Sequence, residues 1–572
     1  MKRMAMRRIV LTPLLVAGLL ALALGAGALL AQEKAGDETK KADSAASRTA
    51  EEAKKSAPTS PAVARIPIYT GDNAPAAPRL EELPLKESVS QYGITWTFEK
   101  PSHVGQFING DGYVVGEVTV KMIDPKPLWG DEVKDAIDKD SVKESKYPGK
   151  QARNGSTHNP QVHRDQWGEC LSGFDSRTPS DRYDPELFTP LPIKMVPGDS
   201  LVSTISRPTS EIKVFIGQFV DPLRVAAVLT CVAEPQPADA FRPSYCDSKN
   251  SRVYLARNLK RDALLNLPRM PKQPATLAWY AGQFQKPWLD LSDFGFAAPR
   301  ENMPHYGQQM VELQGEATLL LLMDYSPEEK EPLLVNLVQV GIDFYGLARG
   351  GMIWHGHGGL NSGRKWPIIF AGVMLDDADM QNPGKNLPNL RFAEDEQTAF
   401  CPVTYKGKTY ETGWTGAKAV HLGHSPYLWD KTEKDEGGGP QDLYPPSQWP
   451  LKKKGEWRAS EAYRRSNTSG AWVAEALTGR MMHIEKVWNH DAFYAYVDRW
   501  MTEDDTPTIQ PIKDAGFPDL SKVSPHTFGR EGFISSEQQA VPWIRAMWDK
   551  YRNNLPPAKD GSKTPPAEQT WK

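Results

Sequence analysis

This chain lacks a net basic charge and an evident internal repeat, and it has few cysteines. The net charge is −3, so no basic field argues for a nucleic-acid partner. No internal sequence repeat is evident, and only four cysteines occur among 572 residues. In an oxidising compartment these four allow three disulfide connectivities. Cys231 with Cys246 would close a short loop, whereas Cys401 is distant in sequence and is expected to stay free.

The N-terminus has a charged start followed by an apolar run. Lys2, Arg3, Arg7 and Arg8 precede the uncharged residues 9–31, which is the pattern of an export signal. No cysteine follows the run, and this excludes a lipid-modified cysteine. Residues 1–31 are either cleaved as a signal peptide or retained as a membrane tether, because the run is long enough to span a bilayer. Both outcomes predict a periplasmic or extracellular protein.

Composition and periodicity predict an α+β multidomain protein. Residues 32–84 are rich in Lys, Glu, Ala, Ser, Thr and Pro and are predicted to be a disordered tether. Residues 85–260 alternate apolar and polar side chains, which predicts an N-terminal β-sandwich-like domain. Residues 261–555 carry helical periodicity and long loops, which predict an (α/α) toroid-like helical domain. Residues 556–572 are predicted to be a disordered tail.

A glycine-rich break between two predicted helices is the central feature of the helical half. The run GGMIWHGHGGLNSGRK carries His355, His357 and Asn361, and it ends with Arg364 and Lys365. Glycine lets a backbone come close to a ligand, and functional residues concentrate on loops of this kind. We therefore expect this stretch to form the rim of a pocket.

Three other segments carry side chains of the same chemical types. They contribute Asn302, His305 and Tyr306 before the first helix, Tyr405, Tyr410, His421 and His424 in a loop-rich segment, and Tyr463, Arg464 and Arg465 at the start of a later helix. Tyr, His, Asn and Arg are the side chains that β-elimination of a uronic acid requires. Donors neutralise the sugar carboxylate, a His or Tyr removes the adjacent proton, and a Tyr protonates the leaving oxygen. No metal or cofactor is needed.

A β-domain beside an (α/α) toroid, with Asn, His, Arg and Tyr on its loops, resembles the polysaccharide lyases of the alginate-lyase and heparinase type. The Asn-Asn-His run of some alginate lyases is absent, and HGHGGLN stands in its place. The resemblance implies Asn361 and Arg364 as carboxylate neutralisers and His357 as the base. It implies Tyr405 or Tyr410 as the acid and an anionic polysaccharide as the partner.

The remaining polar and aromatic residues on these loops are expected to bind the substrate. They are Tyr306, His305, His355, Lys365, Trp414, His424, Tyr463 and Arg465.

Two other enzyme mechanisms and one non-catalytic role stay open at this stage. His355-x-His357 together with His421-x-x-His424 could ligate zinc in a hydrolase. A glycoside hydrolase would need two carboxylates across the bond, and Glu411 and Glu475 are candidates. A tethered module that binds envelope polysaccharide without chemistry is the third alternative.

Overall fold

The structure is a computed structural model with a sheet-rich region over residues 80–230 and a helical region over residues 277–550. It describes residues 65–134, 147–166, 168–178, 182–212, 221–271, 273, 275–430, 439–449, 451–452, 457–458, 468–504, 506–515 and 542–557. The predicted export signal, residues 32–64 of the predicted tether and residues 558–572 of the predicted tail lie outside these ranges. No helix in the described ranges is long and apolar enough to cross a membrane.

The strands are mostly short. Their bounds are β1 Leu85–Gln91, β2 Ile94–Gln106, β3 Gly112–Val115, β4 Val118–Asp124, β5 Leu128–Trp129, β6 Ala152–Arg153, β7 Ser156–His158, β8 His163–Arg164, β9 Cys170–Leu171, β10 Ile193–Met195, β11 Ser200–Ser206, β12 Leu223–Val232, β13 Thr398–Phe400, β14 Val403–Tyr405, β15 Lys408–Tyr410, β16 Ala419–His421, β17 Leu451–Lys452 and β18 Trp457–Arg458.

Eight of these strands form one sheet in the order β10-β4-β2-β3-β12-β11-β7, with β1 also paired to β2. Strands β12 and β3 run parallel, and the other pairs in the sheet are antiparallel. The first part of β2 pairs with β4 and its last part pairs with β3. Residues from both halves of the sheet therefore share one apolar core, across which the Trp96 Nε1–H donates to Ser203 Oγ at 2.9 Å.

The alternation that predicts the strands is confirmed in β2, where Ile94, Trp96 and Phe98 are all buried. In β4 the alternation breaks. The register against β2 shifts between Thr97 and Phe98, and a bulge of this kind turns the following side chains to the other face. Met122 is consequently 52% exposed.

The helices account for most of the second half of the described chain. Their bounds are α1 Asp131–Lys134, α2 Leu277–Gln285, α3 Gly307–Leu321, α4 Pro327–Arg349, α5 Lys365–Leu375, α6 Ala378–Gln381, α7 Pro383–Asn386, α8 Ala393–Glu396, α9 Ser469–Met481, α10 Glu485–Trp488, α11 Asp491–Thr502, α12 Thr506–Asp514 and α13 Pro542–Tyr551.

Helix α4 is the buried axis of the helical region, and it leads into the glycine-rich loop. Its N-terminus is capped by Ser326, which forms a capping box with Glu329. Gly341 lets α4 approach α5 closely, since a Cβ there would lie 2.2 Å from the Pro367 carbonyl oxygen. The loop between these two helices is thereby held at a fixed place against the core.

The four cysteines are free thiols. Cys231 lies in the core shared by the two halves of the sheet, whereas Cys246 belongs to the core of the helical region. The short loop that a Cys231–Cys246 disulfide would close is therefore not formed, because the two side chains belong to different cores.

Part of the predicted tether packs against the rest of the protein. Ile66 and Tyr69 contact the helical core, and the Val104 amide donates to the Pro84 carbonyl at 3.0 Å. A chain that begins at residue 85 should therefore melt at a lower temperature than one that begins at residue 65. Each partly buried apolar side chain that is lost contributes about 1 kcal/mol or more. Calorimetry on both chains checks this, and equal melting temperatures would contradict it.

Candidate active site

A histidine held by a carboxylate is the best-defined chemical group on the glycine-rich loop. The Nδ1 of His355 lies 3.0 Å from Glu396 Oε2, which also accepts from the Gly356 amide at 3.1 Å and from the Ser425 hydroxyl. Burial acts to raise the pKa of Glu396, but these hydrogen bonds outweigh it and lower that pKa. Glu396 is thus a carboxylate that only accepts, so His355 Nδ1 donates to it, and in the neutral ring Nε2 is the acceptor.

The ring of Tyr427 covers His355. The two ring centroids are 4.3 Å apart, and Tyr427 is 53% exposed, so the pair faces solvent. Burial and the negative charges of Glu396, Glu169 and Asp293 raise the pKa of the Tyr427 phenol, whereas Arg164 lowers it. The phenol is therefore a proton donor at neutral pH, and the charge of Arg164 acts on it.

Asp293 is a second acidic group that acts on Tyr427. Arg182 forms ion pairs with Glu169 at 2.6 Å and with Asp293 at 3.1 Å. Burial and the adjacent Glu169 raise the pKa of Asp293 to about 8, although Arg182 opposes the shift. Asp293 therefore releases its proton at a higher pH than an ordinary aspartate does.

His357, the base expected from the sequence, faces a different set of neighbours from His355. Its ring lies 4.5 Å from the His424 ring and 5.5 Å from the Phe294 ring. Burial, His357 and His421 all lower the pKa of His424, so His424 is neutral. Phe294 has φ of 61°, a strained conformation for an aromatic residue, and its ring closes one side of His357.

Arg364 lies inside the protein. Its side chain is fully buried, and it binds Asp290 through Nε at 2.9 Å and through Nη2 at 2.8 Å. Its Nη1 donates to the carbonyl oxygens of Leu360 and Ser362. Arg364 therefore supports the glycine-rich loop from inside the protein, and these donors face buried acceptors rather than solvent.

The other two polar residues of the loop are also turned inward. Asn361 is 2% exposed, and its Nδ2 donates to the His355 carbonyl at 2.9 Å. Lys365 is 4% exposed, and its Nζ lies 2.7 Å from both carboxylate oxygens of Asp395. Asn361 therefore supports the backbone that carries His355, and Lys365 anchors the start of α5.

The aromatic residues expected from the loop-rich segment lie in a small core of their own. Tyr405 is 6% exposed, and its ring lies 5.1 Å from Trp429. Tyr410 and Trp414 are half-buried and pack against the same cluster. These three side chains are therefore grouped with each other rather than with His355.

The remaining expected residues are dispersed. His305 is buried 3.7 Å from Asp221, and burial lowers its pKa to about 4. Tyr306 is half-buried at the residue before α3. Tyr463, Arg464 and Arg465 lie outside the described residues.

The residues expected for the two alternative enzyme mechanisms are not brought together in the described ranges. His357 and His424 meet, but His355 bonds to Glu396 and His421 Nε2 lies 3.0 Å from Thr468 Oγ1. Within the described ranges, no three His, Cys, Asp or Glu side chains are arranged to hold a metal. Glu411 is exposed and Glu475 is fully buried, so these two carboxylates do not face a common cleft.

Sequence reasoning missed Glu396, Ser425 and Tyr427, and also Arg164 and Asp293. Two signals point to some of them. Ser425-Pro426-Tyr427 directly follows His424, a predicted substrate-binding residue. The acidic run Glu394-Asp395-Glu396 shortly precedes the segment that contains Tyr405 and Tyr410. Arg164 and Asp293 have no local signal. Arg164 lies more than a hundred positions before His355, and Asp293 lies more than sixty positions before it.

An open surface pocket lies apart from this group. It is lined by Thr398, Ala399, Phe400, Asn489, His490, Asp491 and Ala492. The His355–Tyr427 site has instead a histidine with an oriented ring, a protonated tyrosine and a cation. This set can transfer protons without an additional group.

Comparison of the chain with protein-family models, curated proteins and solved structures found no match.

Proposed function

We propose that the protein is a polysaccharide lyase that cleaves a uronic-acid-containing polymer by β-elimination. The observation that carries the proposal is the His355–Glu396 hydrogen bond beneath the exposed ring of Tyr427. A histidine whose Nδ1–H is held by a carboxylate has Nε2 available as a base, and a protonated tyrosine beside it can serve as the acid.

The proposed reaction uses these two groups in turn. His355 Nε2 takes the proton next to the sugar carboxylate, and the resulting electron pair forms a carbon–carbon double bond as the glycosidic C–O bond breaks. The Tyr427 hydroxyl gives its proton to the leaving oxygen. Arg164, which is half-buried and donates to the carbonyl oxygens of Gly168 and Gly351, supplies positive charge for the sugar carboxylate in this proposal.

This assignment shifts roles between neighbouring residues. His357 was the base expected from sequence, and Tyr405 or Tyr410 the acid. The burial of Tyr405 and the packing of His357 against His424 and Phe294 favour His355 and Tyr427 instead. Asn361 and Arg364 become supports of the loop rather than groups that bind the substrate carboxylate.

The finer architecture and the location belong to the same proposal. We propose that the helical region is an (α/α) toroid-like domain and that the strands form a sandwich-like domain. The packing of α4 on α2 and α5, and of α9 on α3 and α11, supports the first. The core shared by two halves of one sheet supports the second. The charged and apolar N-terminal run supports export, with cleavage or membrane tethering as the two outcomes.

A glycoside hydrolase is the second candidate, because the carboxyl groups of Asp293 and Glu169 both lie against Arg182. A retaining glycosidase needs about 5 Å between its two carboxyl groups and an inverting one needs more. Glu169 instead forms a hydrogen bond with Asp293 that helps to raise its pKa. This contact leaves no room for a sugar between them, so the lyase is the better fit.

Incubation with a panel of uronic acid polymers tests the proposal. A lyase produces an unsaturated sugar end that absorbs in the ultraviolet, whereas a hydrolase produces only new reducing ends. Tyr427→Phe should lower turnover by about a hundredfold or more, since the acid is lost. Tyr410→Phe, on a half-buried tyrosine outside this site, is the matched control and should keep wild-type turnover. Reducing ends without ultraviolet absorbance would favour the hydrolase, and neither signal on any polymer would sink both enzymes.

A further inference from the structure

Three consecutive acidic residues hold the glycine-rich loop at three separate points. Helix α8 ends in Glu394, Asp395 and Glu396. Glu394 Oε1 accepts from the Gly363 amide at 2.6 Å, Asp395 binds the Lys365 ammonium, and Glu396 binds His355. Successive side chains of a helix point in different directions, so one short helix reaches the beginning and the end of the loop together.

The contact at Gly363 is the most deeply buried of the three. Gly363 has φ of +87°, a conformation suited to glycine. Its carbonyl oxygen accepts from Gln314 Nε2 on α3 at 2.9 Å, opposite the Glu394 contact on its amide. Both polar groups of this peptide unit are therefore bonded to side chains, and the loop cannot move without breaking one of them.

Glu394 is an unusual group to find in this position, because it is fully buried and its Oε2 has no hydrogen-bond partner. Behind it, Glu475 on α9 is also fully buried, and neither of its carboxyl oxygens has a partner. A charged carboxylate without partners is very costly in such surroundings. Both carboxyls are therefore expected to be neutral acids over part of the pH range.

We infer that Glu394 is a positioning residue that latches the glycine-rich loop through Gly363 and that the latch weakens as its carboxyl ionises. Titratable groups on three elements act on this carboxyl. They are Asp395 on α8, Lys365 on α5 and Glu475 on α9. The inference deepens the proposed function by adding regulation of the same loop, and it rests on that function only for its consequence for turnover.

The direction of the pH effect follows from the buried state of the carboxyl. Burial raises the pKa of Glu394 from about 4.5 to about 7, while the Gly363 amide acts to lower it. In an open loop the carboxyl would be hydrated and its pKa would return to the ordinary value. Between these two pKa values, a rise in pH therefore favours the open loop. Above the higher pKa, a further rise has no effect.

Hydrogen exchange of the loop amides, without any substrate, tests the latch. Protection of the peptides that cover residues 356–363, corrected for the intrinsic rate at each pH, should fall by about tenfold per pH unit within that window. Protection in strands β11 and β12 should stay constant and serves as the internal reference. Glu394→Gln keeps an oxygen that can accept from Gly363 but cannot ionise, so its protection should be independent of pH.

Glu475→Gln is the matched control, because Glu475 is equally buried but its carboxyl oxygens form no hydrogen bond with the loop. Its own pKa is raised well above the ordinary range by burial and by Glu394, so it stays neutral throughout the window and the wild-type response should persist. A response lost in Glu475→Gln and kept in Glu394→Gln would overturn the assignment. If hydrogen-exchange protection of the loop in the wild-type protein did not change with pH, the latch itself would be overturned, even if Glu394→Gln does not fold.

Because exchange is measured without substrate, the outcome is independent of the lyase assay. A pH-dependent loop in a protein that yields no unsaturated product would keep the latch and reject the proposed function. A pH-independent loop in an active lyase would do the reverse.

Discussion

Replacing Arg364 with methionine should destabilise the protein by about 3 to 5 kcal/mol, the cost of breaking a buried ion pair by removing one partner. The methionine would leave Asp290 charged and buried beside Trp354, whose Nε1–H donates to the same carboxylate at 2.7 Å. It would also remove the donors that hold the Leu360 and Ser362 carbonyl oxygens. Urea denaturation that gives the free energy of unfolding measures the effect.

The matched control is Arg224→Met, because Arg224 forms a similar ion pair with Glu211 at the surface. Exposed pairs contribute about 1 kcal/mol or less, so this variant should unfold almost as the wild type does. If Arg364→Met were equally mild, Arg364 would not be buried with Asp290. It would then be accessible to substrate, as the sequence pattern alone predicts. The comparison thus separates a structural arginine from a substrate-binding one.

Replacing His355 with glutamine should lower turnover by about a hundred- to ten-thousandfold, which is the range for loss of a general base. Glutamine can still donate to Glu396, so the loop should keep its shape while the Nε2 lone pair disappears. The measurement is the rate of unsaturated product formation at saturating substrate. The melting temperature, followed in parallel, should change little because His355 is only half-buried.

His357→Gln distinguishes the two histidines. His357 packs on His424 and Phe294 rather than on a carboxylate, so its replacement should affect turnover much less than that of His355. Glu396→Gln should lie between them, because it removes the charge that orients the His355 ring and keeps a similar shape. If the His357 variant were inactive and the His355 variant active, the base would be His357, as the resemblance to lyases implies.

The two histidines show why residue types were easier to predict than residue roles. They are two positions apart in a loop, and both suit proton transfer. His355 turns to Glu396, a partner 41 positions later in the chain. His357 turns to His424 and Phe294. A local sequence pattern contains no information about which partner each ring will meet, because the partners come from other elements.

The same reason explains the reassignment of Arg364. The sequence places a cation at the end of a glycine-rich loop, and such cations are often found at binding sites. Its partner Asp290 lies 74 positions earlier, in a segment without a motif. An arginine with a buried carboxylate in bidentate geometry is a structural element. The same arginine without that carboxylate would be a substrate ligand.

The sequence by itself determined the local features of this protein. Alternating apolar residues determined the buried face of β2, and the Ser326 capping box determined where α4 begins, because both depend on neighbours within a few positions. The glycine-rich break with its histidines was also local. Only the tertiary structure decided that Glu394 and Glu396 hold this loop, that Tyr427 covers His355, and that Arg364 is buried. Each of these contacts joins distant parts of the chain, and packing of whole helices and strands against one another brings them together.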